Sequence, residues 1–336
     1  MSAFAGPARP VPESRAPAAA PPWSGLLAMN KPVGMTSHDV VERVRRRLKA
    51  KGAGHLGTLD PGASGLLLVA LGAATRCIPV WQRGEKTYEA TLRFGVVTST
   101  QDLHGEVLER RPVDLDEARA REASLAFVGE IDQVPPMASA LKRQGERLYR
   151  LARRGVEVER APRRVRISEW TWLSFDLPEA RFRIRCSSGT YVRTLAHDLG
   201  QRLGCGAALQ ALCRLRSEPF GLERSATVQD LNERTPEEVL AAGGTPLDQA
   251  LRGQPAVTLD AAAVERVGHG GRPSLDRAQV EAAGVPLGAG PRSVVLRAVD
   301  GAPLGLGELV PDPGSPGAVQ VRPHVIFPWA VREGRW

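Results

Sequence analysis

A glycine-rich segment at residues 54–65 carries a single carboxylate, Asp60, directly before an apolar run. Glycine permits tight turns and close approach of a ligand, and Pro61 stiffens the chain next to Asp60. Asp60 is therefore expected to be presented rigidly on a loop held by the core, where a carboxylate could take part in chemistry. It also fits a structural turn in which Asp60 hydrogen-bonds nearby amides, and the local sequence leaves both interpretations open.

A second segment, residues 189–193, reads Gly-Thr-Tyr-Val-Arg and leads into an apolar stripe that predicts a helix. Thr190 is a plausible helix cap, which places Arg193 in the first turn. A cation there faces the positive end of the helix dipole, at a cost of roughly 0.3–1 kcal/mol. A nearby carboxylate would offset that cost, and Asp60 is the candidate partner. The alternative is an exposed Arg193 with its head group in water.

The chain contains three tyrosines, and each lies in a segment that could carry chemistry. Tyr88 begins one face of an alternating strand, Tyr191 lies beside Arg193, and Tyr149 lies in a basic stretch. A tyrosine can stack on a base and hydrogen-bond at the same time. The pattern suggests base recognition, although at least one of the three could be an ordinary half-buried side chain.

Charge points to a polyanionic partner. The 336 residues include 45 Lys or Arg against 37 Asp or Glu, a formal net charge of +8. Residues 142–166 hold ten Lys or Arg and three Glu, and a second basic cluster spans residues 43–51. Two such clusters favour a polyanionic partner over solvated surface faces.

Several classes of protein are excluded or disfavoured by composition. No apolar run approaches the ~20 residues of a membrane span. The first residues lack a secretory pattern, so we expect a cytoplasmic protein. The four cysteines form no CxxC pair and the six histidines show no metal spacing, so neither a disulfide framework nor a metal site is expected.

Periodicity divides the chain into three parts. Residues 1–24 are rich in Pro and Ala and are expected to be a disordered tail. Residues 25–250 contain a helix at 36–49, an apolar strand at 66–71, and alternating strands at 87–95 and 181–186. Leu209, Leu212 and Leu215 suggest another short helix. Residues 251–336 contain short strands and turns, which predict a small β-rich domain.

These segments together resemble bacterial tRNA pseudouridine-55 synthases of the TruB type over roughly residues 26–222. The resemblance rests on seven motifs in order: Lys-Pro-x-Gly-x-Thr-Ser at 31–37, Gly-His-x-Gly-x-Leu-Asp-Pro-x-Ala-x-Gly at 54–65, Lys-x-Tyr at 86–88, Thr-x-Thr-x-Asp-x-x-Gly at 98–105, Gln-x-Pro-Pro-x-x-Ser-Ala-x-Lys at 133–142, Gly-x-x-Leu-Tyr-x-x-Ala-Arg-x-Gly at 145–155, and Gly-Thr-Tyr-x-Arg-x-Leu-x-x-Asp-Leu-Gly at 189–200.

The resemblance implies an α+β fold: a mixed, largely antiparallel sheet flanked by helices and loops, with a small C-terminal PUA-like domain. It also implies that a tRNA T-loop uridine is isomerised to pseudouridine by a monomer that needs no cofactor or metal. Asp60 matches the essential aspartate of the family, which acts either as a nucleophile or as a base toward a ribose proton. Arg193 matches the arginine that pairs with this aspartate. Tyr88 matches the tyrosine that stacks on the target base and helps deprotonate C5. The implied substrate contacts are Lys31, Pro32, His55, Tyr191 and Leu212, with Lys142, Arg143, Arg147, Arg150 and Arg154 holding the T arm.

Two departures from the family pattern bear on RNA binding. Ala138 occupies a position that is usually aromatic, and residues 250–336 carry a formal charge of only about +1, from nine Arg against eight Asp or Glu. An RNA-binding or tRNA-folding protein without catalysis is the competing hypothesis, because the basic clusters alone would fit it. A carboxylate-dependent hydrolase is disfavoured, since the second acid of a glycosidase is missing.

Overall fold

The computed structural model describes residues 23–139, 141–143, 145–288, 290–327 and 330 of the chain. Of the tail predicted at residues 1–24, all but Trp23 and Ser24 lie outside the described residues. The Ser24 hydroxyl accepts a hydrogen bond from the Ala73 amide at 3.1 Å, and Trp23 packs against a buried core. These two residues therefore belong to the folded body, because each has a partner there.

The described body is built from strands and helices in the following chain order. The strands are β1 (Gly25–Lys31), β2 (Ala53–His55), β3 (Ala63–Leu71), β4 (Lys86–Phe94), β5 (Val96–Thr98), β6 (Val107–Arg110), β7 (Gly129–Gln133), β8 (Lys142–Arg143), β9 (Glu146–Arg147), β10 (Arg163–Asp176), β11 (Glu179–Cys186), β12 (Ala207–Ser217), β13 (Phe220–Gly221), β14 (Ala226–Thr227) and β15 (Gly244–Pro246). The helices are α1 (Ser37–Arg47), a 3-10 helix (Gly72–Cys77), α2 (Ile78–Gln82), α3 (Glu117–Leu125), α4 (Leu148–Arg153), α5 (Val192–Leu203), α6 (Asp230–Glu233), α7 (Pro236–Gly243) and α8 (Leu247–Ala250).

One 11-stranded sheet organises this body, in the order β14-β1-β3-β12-β4-β11-β10-β7, with β2, β13 and β15 pairing at its side. The β1–β14 and β3–β12 pairs are parallel, and the others are antiparallel. This arrangement confirms the predicted mixed, largely antiparallel sheet. The apolar run in β3 is buried on both faces, as its continuous hydrophobicity predicts.

Helix α1 begins where the sequence predicts, because Thr36 forms a complete capping box with Asp39. The Thr36 hydroxyl accepts from the Asp39 amide, and the Asp39 carboxylate accepts from the Thr36 amide. Val40, Val41 and Val44 form the buried stripe of the helix. The basic residues of its last turn lie near the helix C-terminus, where the dipole favours cations.

The short helix predicted around Leu209, Leu212 and Leu215 is wrong, because all three residues lie in strand β12. The three-residue spacing that imitates a helix comes from an irregularity in the ladder between β12 and β4. Leu209 pairs with Leu92 and Leu212 pairs with Ala90, with a register shift between them. The extra residue at this bulge keeps both leucines on the buried face.

The C-terminal part contains the strands β16 (Ala256–Leu259), β17 (Ser274–Asp276), β18 (Arg292–Ala298), β19 (Pro303–Pro311) and β20 (Ala318–Ile326). They form a five-stranded sheet of their own, in the order β16-β18-β19-β20-β17. This confirms the small β-rich domain. The sheet shares a core with the body, and the indole Nε1 of Trp81 donates to the Ala250 carbonyl at 2.9 Å near that junction. Two helices accompany these strands, α9 (Ala261–Gly268) and α10 (Arg277–Ala282).

Candidate active site

The glycine-rich segment connects β2 to β3 and holds Asp60 at its centre. The hydroxyl of buried Ser37, at the start of α1, accepts from the Leu59 amide at 2.9 Å and donates to the Leu59 carbonyl at 3.0 Å. The Gly34 amide donates to the Pro61 carbonyl at 2.8 Å. The residues on both sides of Asp60 are therefore fixed by hydrogen bonds, while its side chain remains partly exposed.

Arg193 lies in the first turn of α5, as predicted, and points at Asp60. The helix is not capped by Thr190, whose hydroxyl donates to the Ser187 carbonyl instead. Tyr191 occupies the cap position without a side-chain cap bond, and its amide donates to the Gln133 side-chain oxygen at 2.8 Å. A neighbouring strand therefore holds the start of this helix.

Arg193 is 5% exposed, and its guanidinium is surrounded by oxygen atoms. It forms an ion pair with Asp60 at 3.0 Å and donates to the carbonyls of Thr100 at 2.9 Å and Ala138 at 2.8 Å. Its Nε lies 3.7 Å from the Asp102 carboxylate. The predicted Asp60–Arg193 contact is present, and these acceptors offset the unfavourable position of a cation at a helix N-terminus.

A cavity of about 600 Å³ opens beside this ion pair. Several of the predicted residues line it together, and three cationic residues without a predicted role, Arg83, Lys86 and Arg214, do so as well. The lining includes Asp60, Lys86, Tyr88, Tyr191, Arg193, Leu212 and Arg214. The cavity is large enough for a flat, partly polar group and combines one carboxylate with several cations and two aromatic rings.

The two tyrosines of the cavity are held in their neutral forms. Burial raises the pKa of Tyr88, against an opposing effect of the Arg214 guanidinium that hydrogen-bonds its side chain. Burial also raises the pKa of Tyr191, against a hydrogen bond with Ser139. At neutral pH both phenols keep their protons, so each can donate a hydrogen bond as well as stack.

Three predicted substrate residues lie outside the lining of this cavity. Lys31 is fully buried, and its ammonium donates to the carbonyls of Pro32 at 2.9 Å and Met35 at 2.6 Å. Burial lowers the pKa of Lys31 to about 8. Pro32 is exposed, and His55 is half-buried in β2 with a pKa that burial lowers. Lys31 therefore shapes the loop that precedes α1.

Lys86 and Arg214 are buried cationic residues of the cavity that were given no role by the sequence analysis. The Lys86 ammonium donates to the carbonyls of Gln82 at 2.6 Å and Gly84 at 2.5 Å, and burial lowers its pKa to about 8. Arg214 is buried in β12. A charged residue inside an apolar strand was the available signal for Arg214, and the helical interpretation of this segment concealed it.

The basic stretch is less positive in the structure than in the sequence. Arg154 forms an ion pair with Glu146 at 2.8 Å, and Arg160 pairs with Glu157 at 3.3 Å. Arg164 pairs with Glu130 and Asp132. Of the five predicted T-arm residues, Arg147 and Arg150 are exposed and Lys142 and Arg143 lie in the β8–β9 hairpin. The ion pair with Glu146 compensates the charge of Arg154.

Among the described residues, no group of three or more His, Cys, Asp or Glu side chains is placed to hold a metal ion. The same part of the chain contains no helix that is long and apolar enough to cross a membrane.

Comparison with known proteins agrees with this geometry. Residues 45–192 match the model of the TruB family pseudouridylate synthase N-terminal domain, and residues 193–252 match that of the tRNA pseudouridylate synthase B C-terminal domain. A tRNA pseudouridine synthase B of Burkholderia mallei is 49% identical over 251 residues, 75% of this chain and 83% of that protein. Its counterpart in Geobacter sulfurreducens is 46% identical over 274 residues, 81% of this chain and 90% of that protein.

Solved structures show the same fold. A crystal structure of a Cbf5-Nop10-Gar1 complex contains a chain that superposes with a TM-score of 0.68 and 27% identity, covering 90% of this chain and 85% of the other. An archaeal box H/ACA sRNP Nop10-Cbf5 complex gives a TM-score of 0.66 and 26% identity, covering 91% and 88%. Both alignments extend into the C-terminal sheet, since they cover nine-tenths of this chain.

Proposed function

Because the chain belongs to the TruB family and is therefore a tRNA pseudouridine synthase, we propose that it isomerises uridine 55 in the T loop of tRNA, with Asp60 as the catalytic carboxylate. One observation supports this assignment above the others: the partly exposed Asp60 carboxylate is held against the buried Arg193 in the wall of a cavity that Tyr88 also lines. Simple RNA binding requires no such carboxylate, which would repel phosphates.

The proposed chemistry is a rearrangement within one nucleotide. The N1–C1′ bond of the uridine breaks, the base rotates, and a C5–C1′ bond forms while C5 loses its proton and N1 gains one. Asp60 can act either as the nucleophile at C1′ or as the base toward a ribose proton. Arg193 orients the carboxylate in both schemes, through the ion pair at 3.0 Å.

We assign the cavity to the flipped uracil. Tyr88 stacks on the base and helps remove the C5 proton, while Tyr191 and Leu212 complete the walls. Extruding a base from the T loop costs a few kcal/mol, which phosphate and stacking contacts must supply. We further assign to exposed Pro32 and half-buried His55 a contact with the displaced RNA loop. Both lie near the glycine-rich segment at residues 54–65, which is called the Asp60 loop from here on, and Lys31 supports this surface.

The T arm is proposed to lie along the hairpin and helix at residues 142–154. Arg147 and Arg150 present exposed cations there, and Lys142 and Arg143 precede them in the hairpin. Arg154 is a weaker candidate because Glu146 compensates its charge.

We propose residues 25–250 as the catalytic domain and residues 251–336 as an additional RNA-binding domain. We also propose that the protein is a monomer that acts in the cytoplasm without a cofactor.

The competing hypothesis of an RNA-binding protein without catalysis is not supported, because the family to which the chain belongs consists of tRNA pseudouridine synthases. Folding of tRNA could still accompany turnover, since both activities would use the same basic surface.

The deciding experiment is pseudouridine mapping on a T-arm stem-loop transcript after incubation with the protein. We expect one modified uridine, at the T-loop position. Asp60→Asn should lose on the order of 10³ or more in turnover while keeping its fold and RNA affinity, as expected of a nucleophile or base. A modified uridine outside the T loop would contradict the position. An Asp60→Asn variant with a tenth of the wild-type rate would contradict the role of Asp60.

A further inference from the structure

Arg214 is a buried cation whose role is not explained by the pairing of Asp60 with Arg193. It is 2% exposed, and no carboxylate among the described residues lies within ion-pair distance of its guanidinium. Burying an arginine without a carboxylate is expensive unless other acceptors replace the lost water. The groups that replace water around Arg214 therefore indicate its function.

Two of these acceptors flank Asp60 in the chain. The Arg214 Nε donates to the Leu66 carbonyl at 2.7 Å, and its terminal nitrogen donates to the Gly57 carbonyl at 3.1 Å. Gly57 and Leu66 lie on either side of Asp60, so one guanidinium joins both ends of the loop. A planar guanidinium with fixed donor directions suits this task, whereas an ammonium does not.

The third partner of Arg214 is Tyr88. The two residues lie opposite each other in the β12–β4 ladder, and the guanidinium hydrogen-bonds the tyrosine side chain. The β3 strand also approaches closely here: a Cβ on Gly65, whose φ is +97°, would lie 2.3 Å from the Arg214 carbonyl oxygen. Strand pairing therefore fixes Arg214 between Tyr88 and the Asp60 loop.

The charges around Tyr88 give this contact an electrostatic consequence. Burial raises the pKa of Tyr88, and the groups that act on it from neighbouring elements are Arg214, Cys186 and Asp60. Cys186 stays a neutral thiol, because burial raises its pKa to about 12. Asp60 opposes ionisation of the phenol, so Arg214 is the group of this set that favours it.

We propose that Arg214 is a positioning residue for the isomerisation, which fixes the Tyr88 hydroxyl relative to the Asp60 loop and stabilises negative charge on the Tyr88 oxygen. The inference rests on the proposed role of Tyr88 in removing the C5 proton. In that step the phenol first releases its own proton to solvent. The phenolate then takes the C5 proton, and the electron pair of the C5–H bond remains in the uracil ring. The adjacent guanidinium offsets the phenolate charge.

A double-mutant cycle with Tyr88 tests the proposal. The rate would be followed as tritium released from C5-tritiated uridine in a full-length tRNA transcript, which reports loss of the C5 proton at whichever uridine is modified. We expect Arg214→Met to slow single turnover by about tenfold or more, and by less than about threefold in a Tyr88→Phe background, because the coupled interaction is already absent there.

Matched variants separate positioning from a loss of fold or RNA affinity. Arg216→Met removes a cation from the same strand whose partners are Glu218 and Glu223 at the surface, and it should leave the rate unchanged. The melting temperature and tRNA affinity would be measured for every variant. Arg214→Lys keeps the charge and replaces Arg214→Met if the latter fails to fold. We expect Lys to recover part of the rate but not all of it.

Equal losses in both backgrounds would overturn the proposal, because Arg214 would then act without Tyr88, and so would the absence of any loss. If Tyr88→Phe is too slow to follow, the pH–rate profile of Arg214→Met decides. Its rising limb should move to higher pH, since the remaining groups raise the pKa of Tyr88, and an unmoved limb contradicts the inference. A wild-type protein that releases tritium but modifies the wrong uridine would contradict the proposed substrate position alone.

Discussion

Replacing Arg193 with lysine perturbs the candidate active site at its most connected residue. The guanidinium joins Asp60 to the carbonyls of Thr100 and Ala138, and the three contacts lie between 2.8 and 3.0 Å. A lysine carries its donors on one atom and cannot reach oxygen atoms that are spread around a planar fork. At least one of these acceptors therefore loses its partner in Arg193→Lys.

The size of the effect follows from those contacts. An unsatisfied buried acceptor costs about 1–3 kcal/mol, so the free energy of unfolding should fall by a similar amount. A hydrogen bond to a charged group contributes about 1.5–3 kcal/mol. If misplacing Asp60 raises the activation barrier by that amount, the single-turnover rate falls by roughly 10- to 150-fold. The affinity for tRNA should change by less than about threefold, because the Arg193 side chain is too buried to contact phosphate.

The assay compares single-turnover pseudouridine formation, tRNA affinity and thermal unfolding for the wild type and for Arg193→Lys. Arg202→Lys is the matched control, since Arg202 lies exposed in the last turn of the same helix. If Arg193→Lys binds tRNA far more weakly but reacts at the wild-type rate once bound, then Arg193 is an RNA ligand and the reasoning from its contacts is refuted.

Three further outcomes are expected. Arg150→Met should lower the slope of log affinity for tRNA against log salt concentration by somewhat under ~1 unit. Arg154→Met should lower this slope less, because Glu146 already compensates the charge of Arg154. Equal slopes for both variants and the wild type would mean that this surface contacts no phosphate. At pH 8 a thiol reagent should modify the half-exposed Cys213 readily and Cys77 only on unfolding, because burial raises the pKa of the Cys77 thiol to about 12; rapid labelling of Cys77 in the folded protein would contradict its burial. Turnover should survive incubation with EDTA, since the proposed steps use only side chains, and its loss would require a metal that this mechanism lacks.

The prediction that Asp60 contacts Arg193 came from sequence by a local argument. A cation in the first turn of a helix requires a nearby acceptor, and a carboxylate in a rigid glycine-rich loop is a natural one. The structure confirms the contact at 3.0 Å and adds Asp102 as a second carboxylate near the same guanidinium. Asp102 lay in a recognised motif, but only the folded chain brings it to Arg193.

The strands and helices with simple periodicity were also predictable. Alternation identified β4 and β11, helical periodicity identified α1, and a continuous apolar run identified β3. These signals are local, because each reflects how one segment divides its side chains between core and solvent. The motifs of the Asp60 loop likewise lie within a few residues of one another.

The tertiary structure alone decided what depends on pairing between distant segments. Strand β12 imitates a helix because a bulge against β4 places Leu209 and Leu212 on one face. The charge of Arg154 is compensated by Glu146 across a turn. The proposed role of Arg214 depends on its contacts with Tyr88 and the Asp60 loop, which are far from it in sequence. Register, ion pairing and buried hydrogen bonds arise from contacts between elements, and no period or motif within a single element encodes them.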